Sequence, residues 1–168
     1  MPINLVAVTV VHEIATLILV GGLYFILFVQ LPAIASVKSP RVRLRLRRAS
    51  FRWLFRWGWL GLVLLWLTGA YDLLTNADGG FPAHVRIMAG LSAAFTLLFL
   101  IAQFGLFNEA TAAMEDGNSE RASWLYRRLR FVVGLASVLA LVVVLLDVTG
   151  PALIPLEGLD LKFLFMRG

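Results

Sequence analysis

The chain has 168 residues, of which 60% are hydrophobic and 15% are charged, whereas a soluble domain carries roughly a quarter charged residues. This composition excludes an ordinary water-soluble globule, and a mean hydropathy of +0.87 leaves room for about four membrane spans of ~20 residues each. The chain has a net charge of +5 and no cysteine, which excludes disulfides, thiolate zinc sites, iron–sulfur clusters and covalently attached haem.

The apolar segments predict an all-α fold, a bundle of four transmembrane helices. The predicted spans cover residues 5–35, 53–74, 86–107 and 131–147 of a single membrane domain, residues 1–150. The first run is longer than a bilayer requires, so we expect it to tilt or protrude. Pro32 signals the end of the first span, and Gly150 and Pro151 signal the end of the fourth.

The segment after the fourth span, residues 151–168, is too short and too charged to cross the membrane again. It alternates apolar residues with Glu157, Asp160 and Lys162. We expect a short tail at the outer side, which either lies on the membrane surface or docks on a partner protein.

The distribution of Lys and Arg predicts the orientation of the helices. Eight of the fifteen basic residues lie between Lys38 and Arg56. Four more precede the fourth span, at Arg121, Arg127, Arg128 and Arg130. Because cytoplasmic loops are enriched in Lys and Arg, we expect both segments in the cytoplasm and both termini on the outer, periplasmic side. The predicted location is therefore the bacterial cytoplasmic (inner) membrane.

Two alternatives concern the same segments. The small residues 33–35 imitate a signal-peptide cleavage site, but no positive n-region precedes them and the apolar run is about twice the usual length, so we expect no cleavage. The Arg-rich segment 41–56 could bind nucleic acid. It adjoins a span and is interleaved with Leu, Phe and Trp, so the expected partner is the lipid bilayer, through its anionic headgroups, and not nucleic acid.

Polar residues inside the apolar spans carry most of the functional information, because an ionisable side chain there costs about 2.5 to 3.5 kcal/mol. They are His12, Glu13, Arg86, Gln103 and Asp147. The face of the helix that carries His12 also carries small and branched residues, namely Ala15, Leu19, Gly22 and Ile26. Another helix or a flat cofactor can approach such a face closely.

His84 directly precedes the third span and is expected at the same side of the membrane as His12. Two neutral imidazoles from different helices are what axial ligation of a b-type haem requires. Each imidazole also has a simpler explanation, since His12 can hydrogen-bond to a neighbouring span and His84 can face water. Ligation of haem b by His12 and His84 is therefore a hypothesis.

Glu13 within a span needs a cation or a proton, and Arg86 is the only intramembrane cation expected on that side. We predict that Glu13 and Arg86 form a polar intramembrane pair. Arg86 could instead bind a haem propionate or extend to the headgroups. Position 16 is Thr, so His12 and Glu13 do not complete a zinc-protease motif.

Three glycines recur along the second span, at Gly58, Gly61 and Gly69. They follow no strand, so they do not form a phosphate-binding loop. We expect them to let the tryptophans of this span and a neighbouring helix pack tightly.

Part of the chain resembles two known families. The residues that resemble the copper resistance D (CopD) membrane domain are His12, Gly21-Gly22-Leu23-Tyr24-Phe25, Pro32, Phe51, Arg52, Phe55 and Thr68-Gly69. The start of the third span, with Pro82, His84, Val85 and Arg86, resembles the related four-helix membrane protoporphyrinogen oxidases of the HemJ type. The resemblance implies that His12 and Arg86 occupy the positions tied to haem and to function, with Arg86 in place of a Lys.

Three functions fit these residues. The first is a redox protein that holds haem b between the first and third spans and passes electrons to a partner. The second is copper uptake or tolerance, with His12 and Glu13 as a transient copper site. The third is an accessory subunit of a larger membrane complex, with no cofactor of its own. The sequence leaves open whether the chain is an enzyme.

Overall fold

The computed structural model describes residues 3–75 and 83–153. Apart from short turns, the described residues form helices: α1 (Ile3–Phe25), α2 (Leu31–Ala35), α3 (Pro40–Thr75), α4 (Ala83–Leu100), α5 (Asn108–Glu115) and α6 (Ser119–Leu153). The π-helical segments Ile26–Gln30 and Ile101–Phe107 join α1 to α2 and α4 to α5. The connection that contains Asp78 and the predicted outer tail beyond residue 153 lie outside the described residues.

Four continuous helical rods result, and each is long and apolar enough to cross a membrane: Val6–Ala35, Pro40–Tyr71, Val85–Glu115 and Ser119–Thr149. The prediction of an all-α bundle with four membrane-spanning helices is confirmed. The rods extend past the predicted spans because a helix does not stop where the hydrocarbon ends. The 36 residues of α3 measure about 54 Å, against about 30 Å of hydrocarbon.

The prolines at the predicted helix ends lie inside helices. The first rod ends at Ala35 as expected, but Pro32 lies within α2. The preceding π-turn, in which Leu31 N–H donates to the carbonyl of Ile26, widens the helix where the proline lacks a donor. The last rod continues through Pro151 to Leu153, because a proline in the final turn removes only one hydrogen bond.

Two of the three glycines in the second span permit close packing, which confirms that part of the prediction. A Cβ atom at Gly58 would lie 2.7 Å from Cε2 of Phe99, and one at Gly61 would lie 3.3 Å from the carbonyl oxygen of Ala15. The face of α1 that carries Ala15 therefore packs directly on α3. Gly69 differs, since no atom lies within 4 Å of its Cβ position.

Aromatic side chains fill the half of the bundle that lies towards the basic ends of the helices. Phe51 stacks on Tyr126 with ring centroids 6.0 Å apart, and Phe55 contacts both Phe99 and Phe107 at 5.3 Å. Beside them, Trp59 Nε1 donates to Gln103 Oε1 at 2.6 Å. This half is closely packed, whereas the opposite half contains a cavity.

Candidate functional site

A cavity of about 420 Å³ lies between α1, α3, α4 and α6, in the half of the bundle away from the basic ends. Its wall is mostly aliphatic and aromatic. The side chains that bring polar atoms to it are His12, Thr16, Trp66, Ser92 and Asp147. A concave, largely apolar site with a few polar groups is the usual form of a small-molecule site, and such sites measure roughly 300 to 1,000 Å³.

His12 reaches this cavity from α1 and is held there by α3. Its Nδ1 atom lies 2.7 Å from Thr68 Oγ1. The Thr68 hydroxyl in turn donates its proton to the carbonyl of Leu64, at 2.7 Å. A hydroxyl has one proton, so a Thr68 hydroxyl that donates to Leu64 accepts from His12 Nδ1–H, whereas one that donates to Nδ1 leaves the imidazole proton on Nε2.

This hydrogen bond determines the chemistry that His12 offers. In a neutral imidazole with the proton on Nδ1, Nε2 carries a free lone pair. Nε2 is then able to accept a proton or to bind a metal. A histidine that ligates a metal almost always donates its other N–H in this way, which fixes the ring and raises its basicity.

The wall that α4 contributes includes Val85, Met88 and Ser92. His84 lies in the first turn of α4, one helical turn before Met88, and its side chain lies outside the described residues. The predicted meeting of His12 and His84 stays a prediction. Arg86 is exposed and does not line the cavity.

Glu13 and Arg86 are both exposed, and no ion pair joins them in the described part of the chain. Their pairing therefore stays a prediction. Glu13 does not line the cavity that His12 lines.

Three residues of the site were not predicted to be site residues. Thr68 entered only as part of the family resemblance, Met88 is one of four scattered methionines, and Asp147 was only one polar exception among five. Asp147 lines the cavity from α6. The signal for Thr68 and Asp147 was a polar side chain in an apolar helix, but the sequence does not show which helices face each other.

The outer surface of the rods is apolar over most of its length, with large side chains such as Leu17, Phe28 and Phe131 at least 70% exposed. Such a surface is the lipid-facing surface of a membrane protein. The fold and this surface define the class: the chain is a multi-pass integral membrane protein with four transmembrane helices. Comparison with protein-family models, curated proteins and solved structures finds no match to the chain. The resemblance to the CopD and HemJ families therefore rests on the residues quoted above.

Proposed function

We propose that the chain is a haem b-binding redox protein of the bacterial inner membrane, in which His12 ligates the iron from the cavity between the four helices. The observation that carries the proposal is the hydrogen bond between His12 Nδ1 and Thr68 Oγ1 at 2.7 Å. With the proton on Nδ1, this bond would leave Nε2 of a cavity-lining histidine free to bind a metal, as is expected of a haem-ligating histidine.

The residues around the cavity are compatible with a haem. The wall is largely apolar, and Gly69 leaves open space at its Cβ position. For a second axial ligand, Met88 presents a thioether at the wall of α4, and His84 lies one turn earlier on the same helix. Histidine and methionine both ligate haem iron. When bound, the haem supplies reversible one-electron transfer.

The charges near the cavity favour one side for the two propionates. Asp147 lines the wall of α6 and repels a carboxylate. Arg86 directly follows the cavity-lining Val85 on α4 and can bind a carboxylate through two parallel hydrogen bonds. Were a haem bound, Arg86 would be the basic residue next to the cavity wall that could pair with a propionate.

A reduced-minus-oxidised visible spectrum tests the proposal. The protein purified in a mild detergent from haem-replete cells should show the α-band of a b-type haem, and His12→Ala should abolish it. Thr16→Val is the matched control: Thr16 also lines the cavity one turn from His12, and this change should leave the band. If only one of the variants His84→Ala and Met88→Leu loses the low-spin spectrum, the residue changed in that variant is the second ligand. A protein that shows no band and takes up no added haem would disprove the proposal.

One observation favours an accessory subunit as a second candidate. Glu13 is exposed within the apolar part of the first rod, and no described residue forms an ion pair with it. An ionisable residue on a lipid-facing surface is costly, and a cation on a partner subunit would offset that cost. Glu13→Gln should then remove a stoichiometric partner on purification and leave any haem band unchanged, whereas His12→Ala should do the reverse.

The geometry gives less support to copper transport. The hypothesis used His12 and Glu13 together, but only His12 lines the cavity. Within the described part of the chain, no group of three or more His, Cys, Asp or Glu side chains is placed to hold a metal ion. If growth depends on copper and both His12→Ala and Glu13→Gln abolish that dependence, copper transport would be favoured over haem binding.

A further inference from the structure

Two exposed side chains of opposite charge lie near the cavity end of the bundle. Glu13 on α1 and Arg86 on α4 are both exposed, and neither forms an ion pair with another described residue. Each lies within an apolar helical rod, Val6–Ala35 or Val85–Glu115. Because an ionisable side chain on a lipid-facing surface is costly, a partner of opposite charge would stabilise each of them.

The two side chains lie at a similar depth in the membrane. Their neighbours in the sequence, His12 and Val85, line the same cavity. His12 contacts Thr68 at 2.7 Å, and Thr68 lies three residues, about 4.5 Å, before the second rod ends at Tyr71. Arg86 is the second residue of the third rod, and its flexible side chain can extend across the remaining difference in depth.

The helix faces that carry these charges have complementary shapes. Leu17 lies one turn after Glu13, and its side chain is 72% exposed. Gly90 lies one turn after Arg86, no atom lies within 4 Å of its Cβ position, and the exposed Ala93 follows on the same face. The amino-terminal parts of both helices line the cavity, so α1 and α4 run in the same direction. Small residues on one helix let a second membrane helix approach closely.

We propose that the chain associates with a second copy of itself in the membrane, through an ion pair between Glu13 of one copy and Arg86 of the other. The basic segments orient every copy in the same way, so the two charges of different copies meet at a similar depth. Within the bundle, α1 packs mainly on α3 and α4 packs mainly on α6, and the exposed faces of α1 and α4 are available to another copy. The association does not require a haem, and it makes a copy of this chain the source of the cation that a separate partner subunit would otherwise supply.

The experiment exchanges the two charges between copies. Glu13→Arg leaves only arginines at the contact and Arg86→Glu leaves only glutamates, so neither variant should associate with itself. In a mixture of the two variants, each arginine of one chain meets a glutamate of the other chain. Co-purification of two differently tagged copies in a mild detergent detects the association, and energy transfer between two differently labelled copies in lipid vesicles measures its affinity.

Wild-type copies should associate with one another. The neutral changes Glu13→Gln and Arg86→Gln should each weaken the association about 3- to 18-fold, the range for a polar contact between membrane helices. The two charge reversals should weaken it further, because they add repulsion. The mixture of Glu13→Arg and Arg86→Glu chains should recover most of the wild-type affinity, and so should a single chain that carries both reversals.

Two controls separate this contact from general effects of charge and of folding. Asp147→Asn removes a carboxylate from the wall of the cavity, so it should leave the association unchanged. Because neither Glu13 nor Arg86 forms an ion pair within the described part of the chain, the neutral variants should unfold no more easily than wild type. The haem band of the same samples is recorded separately, so failure of the haem proposal and failure of self-association are distinguishable.

Wild-type copies that do not associate would overturn the proposal, and so would charge-reversed variants that associate as tightly as wild type. Recovery in the chain with both reversals but not in the mixture would show that Glu13 and Arg86 pair within one chain. If Glu13→Arg releases a different protein and the mixture restores no association between copies, the partner is a separate subunit, and the proposal of a second copy is wrong.

Discussion

Thr68 is the residue on which the chemistry of His12 depends. Its hydroxyl is both a donor to the carbonyl of Leu64 and the acceptor for His12 Nδ1. The hydrogen bond to the preceding turn is common for Thr in a helix. While the hydroxyl proton is used in that bond, Thr68 can only accept from His12 Nδ1. The carbonyl of Leu64 and the Nδ1 atom of His12 therefore compete for one proton, and its position decides the tautomer of the imidazole.

Replacing Thr68 tests this arrangement without reference to any cofactor. Thr68→Val keeps the shape of the side chain but removes the acceptor, so we expect it to destabilise the fold by about 1 kcal/mol, a typical value for a hydrogen bond between membrane helices. Thr68→Ser keeps the hydroxyl and should lose less. Reversible unfolding in mixed detergent micelles measures both. Equal losses in Val and Ser variants would show that the hydroxyl does not hold His12.

The indole of Trp59 and the amide of Gln103 form a second interhelical contact that deletion can measure. Trp59→Phe removes the N–H that donates to Gln103 Oε1 at 2.6 Å, and Gln103→Leu removes the acceptor. Each single change should cost about 1 kcal/mol because it leaves the other group unpaired. The double variant should cost less than the sum, by a coupling of about 0.6 to 1.7 kcal/mol. Strictly additive losses would mean that this bond contributes nothing to stability.

At the scale of helices, the closest contacts of α3 depend on two glycines that lack room for a methyl group. A Cβ atom at Gly58 would meet the ring of Phe99 at 2.7 Å. Phe99 is itself packed between Phe55 and Trp59, so it cannot give way cheaply. This contact sets how closely α3 approaches α4.

Gly58→Ala should therefore destabilise the bundle by about 1 to 3 kcal/mol, the usual range for overpacking. Gly134→Ala in α6 is the matched control, because no atom lies within 4 Å of its Cβ position. That change should be neutral or stabilising by up to about 1 kcal/mol, since Ala favours a helix over Gly. Unfolding in mixed micelles compares the two, and a Gly58→Ala protein as stable as wild type would contradict the packing described.

The sequence predicts the helices well because length and hydropathy determine them. Runs such as 131–147 have few alternatives in a bilayer, since every backbone group must be hydrogen-bonded within the segment. Hydropathy does not predict the π-helical segment Ile101–Phe107. A change in the hydrogen-bonding register of the helix does not alter the apolar composition of the segment. Pro32 predicted the end of the first span, but the helix continues through it to Ala35 because the π-turn before it supplies other donors to the neighbouring carbonyls.

The candidate site was less predictable than the helices, for a different reason. The sequence identified His12 as unusual and predicted a pair of Glu13 and Arg86 because both lie near the outer ends of their spans, whereas the structure shows both side chains exposed and no ion pair between them. Depth in the membrane follows from position along the chain, whereas the direction of a side chain around a helix depends on which helices pack together. Only the folded bundle shows that α1 packs mainly on α3 and that α4 packs mainly on α6.

At the scale of the whole molecule, packing and charge divide the bundle into two halves. The half with the basic ends has a closely packed aromatic core, and the other half has the cavity that His12 and Asp147 line. The packed half holds α3, α4 and α6 together through contacts between aromatic side chains, whereas no side chain fills the space in the other half. Among the described residues, the half with the cavity carries only one Lys or Arg, Arg86. Because Lys and Arg favour the cytoplasmic side, we expect the half with the basic ends to face the cytoplasm.

The absence of cysteine allows that orientation to be measured directly. Single cysteines introduced as Ser39→Cys and Asn118→Cys mark the turns at the basic end, and Asp78→Cys marks the connection at the opposite end. In intact cells, a maleimide reagent that cannot cross the inner membrane should label only Asp78→Cys, whereas inverted membrane vesicles should show the opposite pattern.

The outcome also locates the cavity, because the basic end and the cavity lie at opposite ends of the same rigid bundle. Labelling of Asp78→Cys from outside would place His12 in the periplasmic half of the membrane, the side from which the proposed haem would exchange electrons. The reverse pattern would place the cavity in the cytoplasmic half. It would also leave the arginine-rich ends of α3 and α6 facing the periplasm, against the tendency of arginine-rich segments to remain in the cytoplasm.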